Sequence, residues 1–136
     1  MRFDTKLAVV LREDLATWQK LNVTAFTVSG IAATVPRVVG EPYRDGSGNE
    51  YLPMFVQPVV VLAATADQLR RAWRRALDRG VAVSVFTEDL FSTGHDEANR
   101  AAVQAVPAEA LNLVGIAMRA DRKIVDKVVD GLKLHP

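Results

Sequence analysis

Two kinds of hydrophobic spacing alternate along the chain. Four short runs are almost continuously apolar: KLAVVL (Lys6 to Leu11), QPVVVLAA (Gln57 to Ala64), VAVSVF (Val81 to Phe86) and LNLVGIAMR (Leu111 to Arg119). Runs of this length and composition read as strands buried on both faces. Between them, apolar residues recur at steps of three and four, the period of a helix with one buried stripe. The first such stretch extends from Asp14 to about Thr34, with Leu15, Trp18, Leu21, Ala25, Val28 and Ala32 as its predicted stripe and Asp14 as its N-cap. Pro36 ends it, because a proline drives the preceding residue out of the helical region. The second helix follows Thr65, where Thr65 and Gln68 have capping-box spacing and Gly80 supplies the stop. Its predicted buried face is Leu69, Ala72, Trp73, Ala76 and Leu77. GHDEANRAAVQAV forms a third helix ending before Pro107. DRKIVDKVVDGLKL forms a fourth, with Ile124, Val125, Val128, Val129 and Leu132 inward.

Residues 36 to 54 interrupt the alternation. RDGSGNE is a turn by its chemistry, since two glycines permit positive φ and the flanking polar residues keep it solvated. The segments VV and EYLPM on either side are placed to pair as a short hairpin. A phosphate-binding P-loop would need a lysine and a hydroxyl after the last glycine, and neither is there. The order β-α-hairpin-β-α-β-α-β-α predicts one α/β domain over residues 1–136. Its expected form is a three-layer α/β/α sandwich with a mixed, mostly parallel sheet of about four main strands.

Composition narrows the function classes. With 136 residues, 49% of them hydrophobic and 24% charged, the chain has the make-up of an ordinary soluble domain. It contains no cysteine and two histidines, which removes thiolate chemistry and leaves too few ligands for a multi-histidine metal site, so no metal and no cofactor are expected. A net charge of +1 exerts no global pull on nucleic acid. The opening MRFDTKLAVVL lacks the apolar run of a signal peptide and no segment is long enough to span a bilayer, so a cytoplasmic protein with no membrane partner is expected. The one basic cluster is Arg70, Arg71, Arg74, Arg75 and Arg79 on the second helix. It reads as a solvated face with favourable charge near the helix C-terminus, or as a phosphate or RNA contact.

Sites on open α/β sheets gather beyond the carboxyl ends of the strands. After the first strand come Arg12, Glu13 and Asp14, with Trp18, Gln19, Lys20 and Asn22 in the opening turns of the helix. After the third come Thr87, Glu88 and Asp89, then Ser92-Thr93-Gly94-His95-Asp96-Glu97. Arg119, Asp121 and Arg122 follow the fourth. A lysine near a helix start, as Lys20 is, can meet an anionic or carbonyl group. His95 stands in a stretch equally well explained as a capped helix start, with Ser92 or Thr93 as cap and carboxylates in the first turn.

The segments KLAVVLREDLATWQKLN, GEPYRDGSGNEYLPM, TEDLFSTGHDEANRAAV and VDKVVDGLKLHP resemble an uncharacterised bacterial domain-of-unknown-function family, number two thousand, over essentially the whole chain. That family is similar in fold to type-II peptidyl-tRNA hydrolase, a compact α/β/α domain commonly found as a homodimer. The resemblance implies a site built on Arg12, Asp14 and Lys20, with Asp89 and Thr93, or Glu88 and Ser92, in the place of the hydrolase's Asp-Ala-Gly-x-Thr segment. The lysine is one residue closer to the strand than in the hydrolase, and Gln19 replaces the glycine before it. The expectation is therefore a ligand or hydrolase-like site at the strand ends. Lys20, Asp89, Thr93 and His95 would carry catalysis, and Arg12, Asp14, Asn22, Glu88 and Asp96 would bind a small-molecule or tRNA-like substrate. A non-catalytic small-molecule or protein-binding module on the same fold, or an RNA-binding protein using Arg70 to Arg79, are the competing expectations.

Overall fold

The computed structural model describes residues 2–136. Strand β1 (Thr5–Arg12) lies at the centre of a five-stranded sheet with β4 (Val59–Ala64), β5 (Val83–Thr87), β6 (Leu113–Asp121) and β7 (Lys133–Leu134), in the order β5-β6-β1-β4-β7. The helices are α1 (Thr17–Thr34), α2 (Ala66–Asp78), α3 (Asp96–Gln104) and α4 (Arg122–Val128), with single 3-10 turns at Glu88–Ser92 and Ala108–Ala110. A hairpin does form about the turn, but its upstream strand is β2 (Tyr43–Arg44), paired with β3 (Glu50–Tyr51); the expected Val38–Val39 arm contributes only an isolated bridge from Val39 to Phe55.

The sheet is mixed but mostly antiparallel, which corrects the mostly parallel expectation. Only β1 and β4 pair in parallel; β6 runs antiparallel to both β1 and β5, and β7 runs antiparallel to β4. The alternation of strands and helices predicted crossovers. β6 instead enters between β5 and β1 from the opposite end. The consequence for function is direct: β1, β4 and β5 still point the same way, so their carboxyl ends share one edge of the sheet. β6 presents its amino end there, at Asn112. Arg119, Asp121 and Arg122 lie at the far edge and leave the group of strand-end candidates.

Side chains alternate across β1, so Leu7, Val9 and Leu11 join one apolar cluster with Val23 and Ile31 of α1. Ala8 and Val10 join another with Leu69, Trp73, Val125 and Val128 of α2 and α4. The face that α1 buries is Val23, Thr27 and Ile31, not the stripe containing Trp18 and Leu21. Two details make that rotation favourable. Thr27 returns its hydroxyl proton to the Val23 carbonyl (2.7 Å), so a polar residue packs without an unmet hydrogen bond. Gly115 on β6 has no side chain, and a Cβ there would collide with Val23 Cγ1. Trp18 and Phe26 are left 58% and 55% exposed.

Other departures are local. α1 starts at Thr17, where the Gln19 side chain accepts from the Ala16 amide (2.9 Å); Asp14 does not cap it. Thr65 and Gln68 form the predicted reciprocal box on α2, with Gly80 at φ +68 closing it, while Leu77 stays exposed. The terminal helix stops at Val128, and Gly131 at φ +85 turns the chain back as β7. Ile124 therefore faces solvent while Val125 and Val128 are buried.

Candidate functional site

The nine residues singled out by sequence fall into three groups. Arg12, Asp14 and Glu88 meet at the shared strand edge, around a residue the sequence reading passed over, Asn112. Arg12 Nε donates to Asp14 Oδ1 (2.6 Å), its Nη1 donates to Asn112 Oδ1 (3.3 Å), and its Nη2 lies 3.6 Å from Glu88 Oε2. Asn112 Nδ2 donates to Glu88 Oε2 (2.7 Å), and the Asn112 carbonyl accepts from the Glu88 amide (2.9 Å). The network ties the end of β1 to the ends of β5 and β6. Its donors and acceptors are largely matched to one another. Asn112 had no sequence signal, because only the reversed direction of β6 brings it to this edge.

Asn22, Thr93, His95 and Asp96 line a cavity of about 350 Å³ beside that network. Its apolar part is aromatic: Trp18 and Phe26 from α1, Phe86 from β5, and Phe91 from the turn after it. Trp18 meets Phe91 edge-on at 5.7 Å between ring centroids, Phe26 meets Phe86 at 5.9 Å, and Phe86 meets Phe91 at 5.0 Å. Trp18, Asn22 and Phe26 stand four residues apart and so share one side of α1. The aromatic ring set has no signal in the sequence, because Trp18 fits a buried helical stripe as well as it fits the strand edge and its ring partners lie on distant segments.

Within the cavity the polar groups have defined duties. His95 is the N-cap of α3: its Nδ1 accepts from the Ala98 amide (3.2 Å), which requires the tautomer with hydrogen on Nε2. Neither Ser92 nor Thr93 performs that cap. The Thr93 hydroxyl touches both the Leu90 carbonyl (3.0 Å) and the Asn99 side-chain amide. Having one proton, it donates to the carbonyl and accepts from the amide when Asn99 presents its nitrogen. Asp96 pairs with Arg100 one turn along α3. Among the described residues, no nucleophile is aligned with His95 Nδ1. Its Nε2–H and the Asn22 amide remain available to an entering molecule.

Lys20 and Asp89 belong to neither group. Lys20 sits two residues from Trp18 and from Asn22, which places it about 160° away from each around the helix. It lines none of the cavity that His95 lines, and neither it nor Asp89 has an ion-pair partner among the described residues. Three arginines of the α2 face, Arg70, Arg74 and Arg75, reach neighbouring segments of the molecule. Arg70 donates to the Leu111 carbonyl, Arg74 pairs with Glu109, Arg75 donates to the Asp130 carbonyl (3.1 Å), and Arg70 and Arg74 both lie over the Trp73 ring.

Among the described residues, no three His, Cys, Asp or Glu side chains are grouped to hold a metal, and no helix is long and apolar enough to cross a membrane. Far from the cavity, the hairpin tip is ordered by Asp45, whose carboxylate accepts from the Tyr51 hydroxyl (2.7 Å), the Asn49 side chain (3.0 Å) and the Ser47 and Asn49 amides (2.9 Å each). These bonds, the Tyr51 hydroxyl foremost, hold its pKa at about 2 instead of 3.8 and raise that of Tyr51.

The family model described as protein of unknown function (DUF2000) matches residues 5–136. A solved structure of a protein of unknown function from Agrobacterium tumefaciens strain C58 is 52% identical, with a TM-score of 0.96, covering 99% of this chain and 100% of its own. No curated protein matches the chain.

Proposed function

Because the chain belongs to the DUF2000 family, whose description leaves the activity open, we propose a function from the site itself. The aromatic mouth between α1 and the β5–α3 segment is a binding site for a small planar molecule with a hydrogen-bonding edge. The observation that carries this reading is the exposure of Trp18, 58% open although its ring meets Phe91 edge-on. A large ring held in place at the lip of a cavity offers a stacking surface at little entropic cost. Asn22 and the His95 Nε2–H supply directional contacts beside it. The family of His95, Thr93, Asn99 and Asp96 contacts supports binding over turnover, since each already positions the walls.

The test is a thermal-shift screen of planar heteroaromatic fragments against wild type, Trp18→Ala and Asn22→Ala. A binder is expected to raise the wild-type melting temperature and to lose about tenfold or more in affinity with Trp18→Ala, the scale of one stacked ring. Fragments that stabilise wild type and Trp18→Ala equally would remove the mouth from the account.

A hydrolase-like reading draws support from Lys20 and Asp89, two charges near the strand ends without ion-pair partners among the described residues. In the three-layer, peptidyl-tRNA hydrolase-like form that the two apolar clusters are compatible with, they would converge on a substrate arriving over the strand edge. Turnover of peptidyl-tRNA by wild type, abolished in Lys20→Ala, would establish it. Equal absence of turnover in both leaves the binding reading standing alone.

A further inference from the structure

The two edges of the sheet are finished differently. β7 is two residues long and carries Lys133, the usual way of blunting an edge against further pairing. β5 is five residues, VSVFT, with no charge and no proline, and β6 is its sole strand neighbour among the described residues. No backbone group on its outer side from Val83 to Phe86 bonds to another element among the described residues. That edge is not flush with the surface. It forms the floor of a slot of about 540 Å³, with Phe26, Ser29 and Gly30 of α1 on one side and Asn99, Val103 and Gln104 of α3 on the other. The slot continues past Ser84 and Val83 to Arg119. Gly30 keeps it open, since a Cβ there would come within 3.0 Å of Ser84 Oγ.

We propose that this slot receives an extended peptide segment, pairing antiparallel with Val83–Phe86 and placing a terminal carboxylate on Arg119. Free main-chain donors and acceptors on a recessed strand edge are the requirement for strand addition, and pockets on either side read alternate side chains. The occupant's chemistry follows from the walls. Side chains directed to α1 meet Phe26 and Gly30 and are small and apolar; those directed to α3 meet Asn99 and Gln104 and are neutral and polar. Asp96 and Arg100 neutralise each other, so the middle of the slot favours no charge. Arg119 differs. It is half-buried and bonded to the Gln57 amide oxygen (3.1 Å), and no carboxylate pairs with it among the described residues. An antiparallel segment ends at the Val83 side, which brings its C-terminal carboxylate to that guanidinium. A second folded copy is the poorer occupant. Stable dimers bury about 800 Å² per partner, and a strand of about 17 Å sunk between two helices presents far less to another recessed edge.

The experiment uses a random heptapeptide library with free C-termini, followed by hydrogen exchange on the full chain. Selected peptides are expected to lack proline, to alternate apolar and neutral polar residues, and to slow exchange of the Val83–Phe86 amides. Amidating their C-termini, or Arg119→Gln, should weaken binding about tenfold. Ser29→Trp and Gln104→Trp, which fill the slot from opposite walls, should abolish it, while Arg71→Ala on α2 and Trp18→Ala in the aromatic mouth leave it unchanged. Loss with Trp18→Ala would transfer the peptide to the mouth and overturn the slot. So would peptides that leave the β5 amides exchanging as before, insensitivity to both tryptophan substitutions, or β5 protection that rises with protein concentration alone, as pairing between two copies would produce.

Discussion

The polar network at Arg12 and the aromatic mouth at Trp18 are neighbours at one edge of the sheet, and both are rich in residues that carry chemistry elsewhere. They differ in what is left over. Arg12, Asp14, Asn112 and Glu88 bond to each other, and the result is a clasp across three strand ends. The mouth keeps its apolar rings open and leaves Asn22 and one imidazole N–H without a partner among the described residues. A cluster whose groups satisfy one another is structure; a cavity with rigid walls and unfilled hydrogen-bonding capacity is where a ligand gains most.

The largest way to disturb this contrast is Gly115→Ala. The new methyl meets Val23 Cγ1 and forces α1 off the sheet, at a cost of about 2 kcal/mol in urea unfolding. Because α1 carries Trp18, Asn22 and Phe26, fragment binding should fall as well, whereas the Arg12 clasp, anchored on β1, β5 and β6, should persist. Next is Arg12→Ala, which leaves Asp14 and Glu88 without their shared cation. About 1 to 2 kcal/mol of stability should be lost, with fragment affinity unchanged. A drop in affinity without a drop in stability would reverse the assignment of the two regions.

His95 tests the mouth's wall. Removing its cap by His95→Ala should cost about 1 kcal/mol and fray the start of α3, whereas His95→Asn, a good cap, should restore stability. If binding is also restored by asparagine, the imidazole serves as a wall; if stability returns without binding, its Nε2–H contacts the ligand. The smallest effect lies outside both regions. The Asp45 carboxyl is held at about 2 against an ordinary 3.8, so the order it gives the hairpin tip is present above about pH 4 and is lost as pH falls through about 2. Tyr51→Phe should return its carboxyl titration, followed by NMR, toward 3.8 and leave the mouth untouched.

The sequence disclosed the element types, the Thr65 box, the hairpin and the Gly80 stop, because each depends on neighbours in the chain. It misread the pairing direction of β6 and the buried side of α1, which depend on partners far away. Val23, Thr27 and Ile31 are buried because Gly115, some ninety residues on, lets the helix approach. A threonine that satisfies itself carries no apolar signal, and Trp18 carried a false one. Thr93, His95 and Asp96, grouped because they sit together in sequence, do line one cavity. Asn112 was missed because only the reversed strand delivers it, and Lys20 stands apart from the cavity of His95 because position along a helix says little about its side.

One measurement bears most directly on the mouth. The chain has two tryptophans, Trp18 at the lip and Trp73 buried in the opposite cluster at 3% exposure, so each indole N–H reports one region in a proton–nitrogen spectrum. Titration with planar heteroaromatic fragments should move the Trp18 indole and the Asn22 and Asn99 side-chain amides, with Trp73 and Asn112 stationary. Fragments that bind while Trp18 stays fixed, or that shift Asn112 first, would contradict the account.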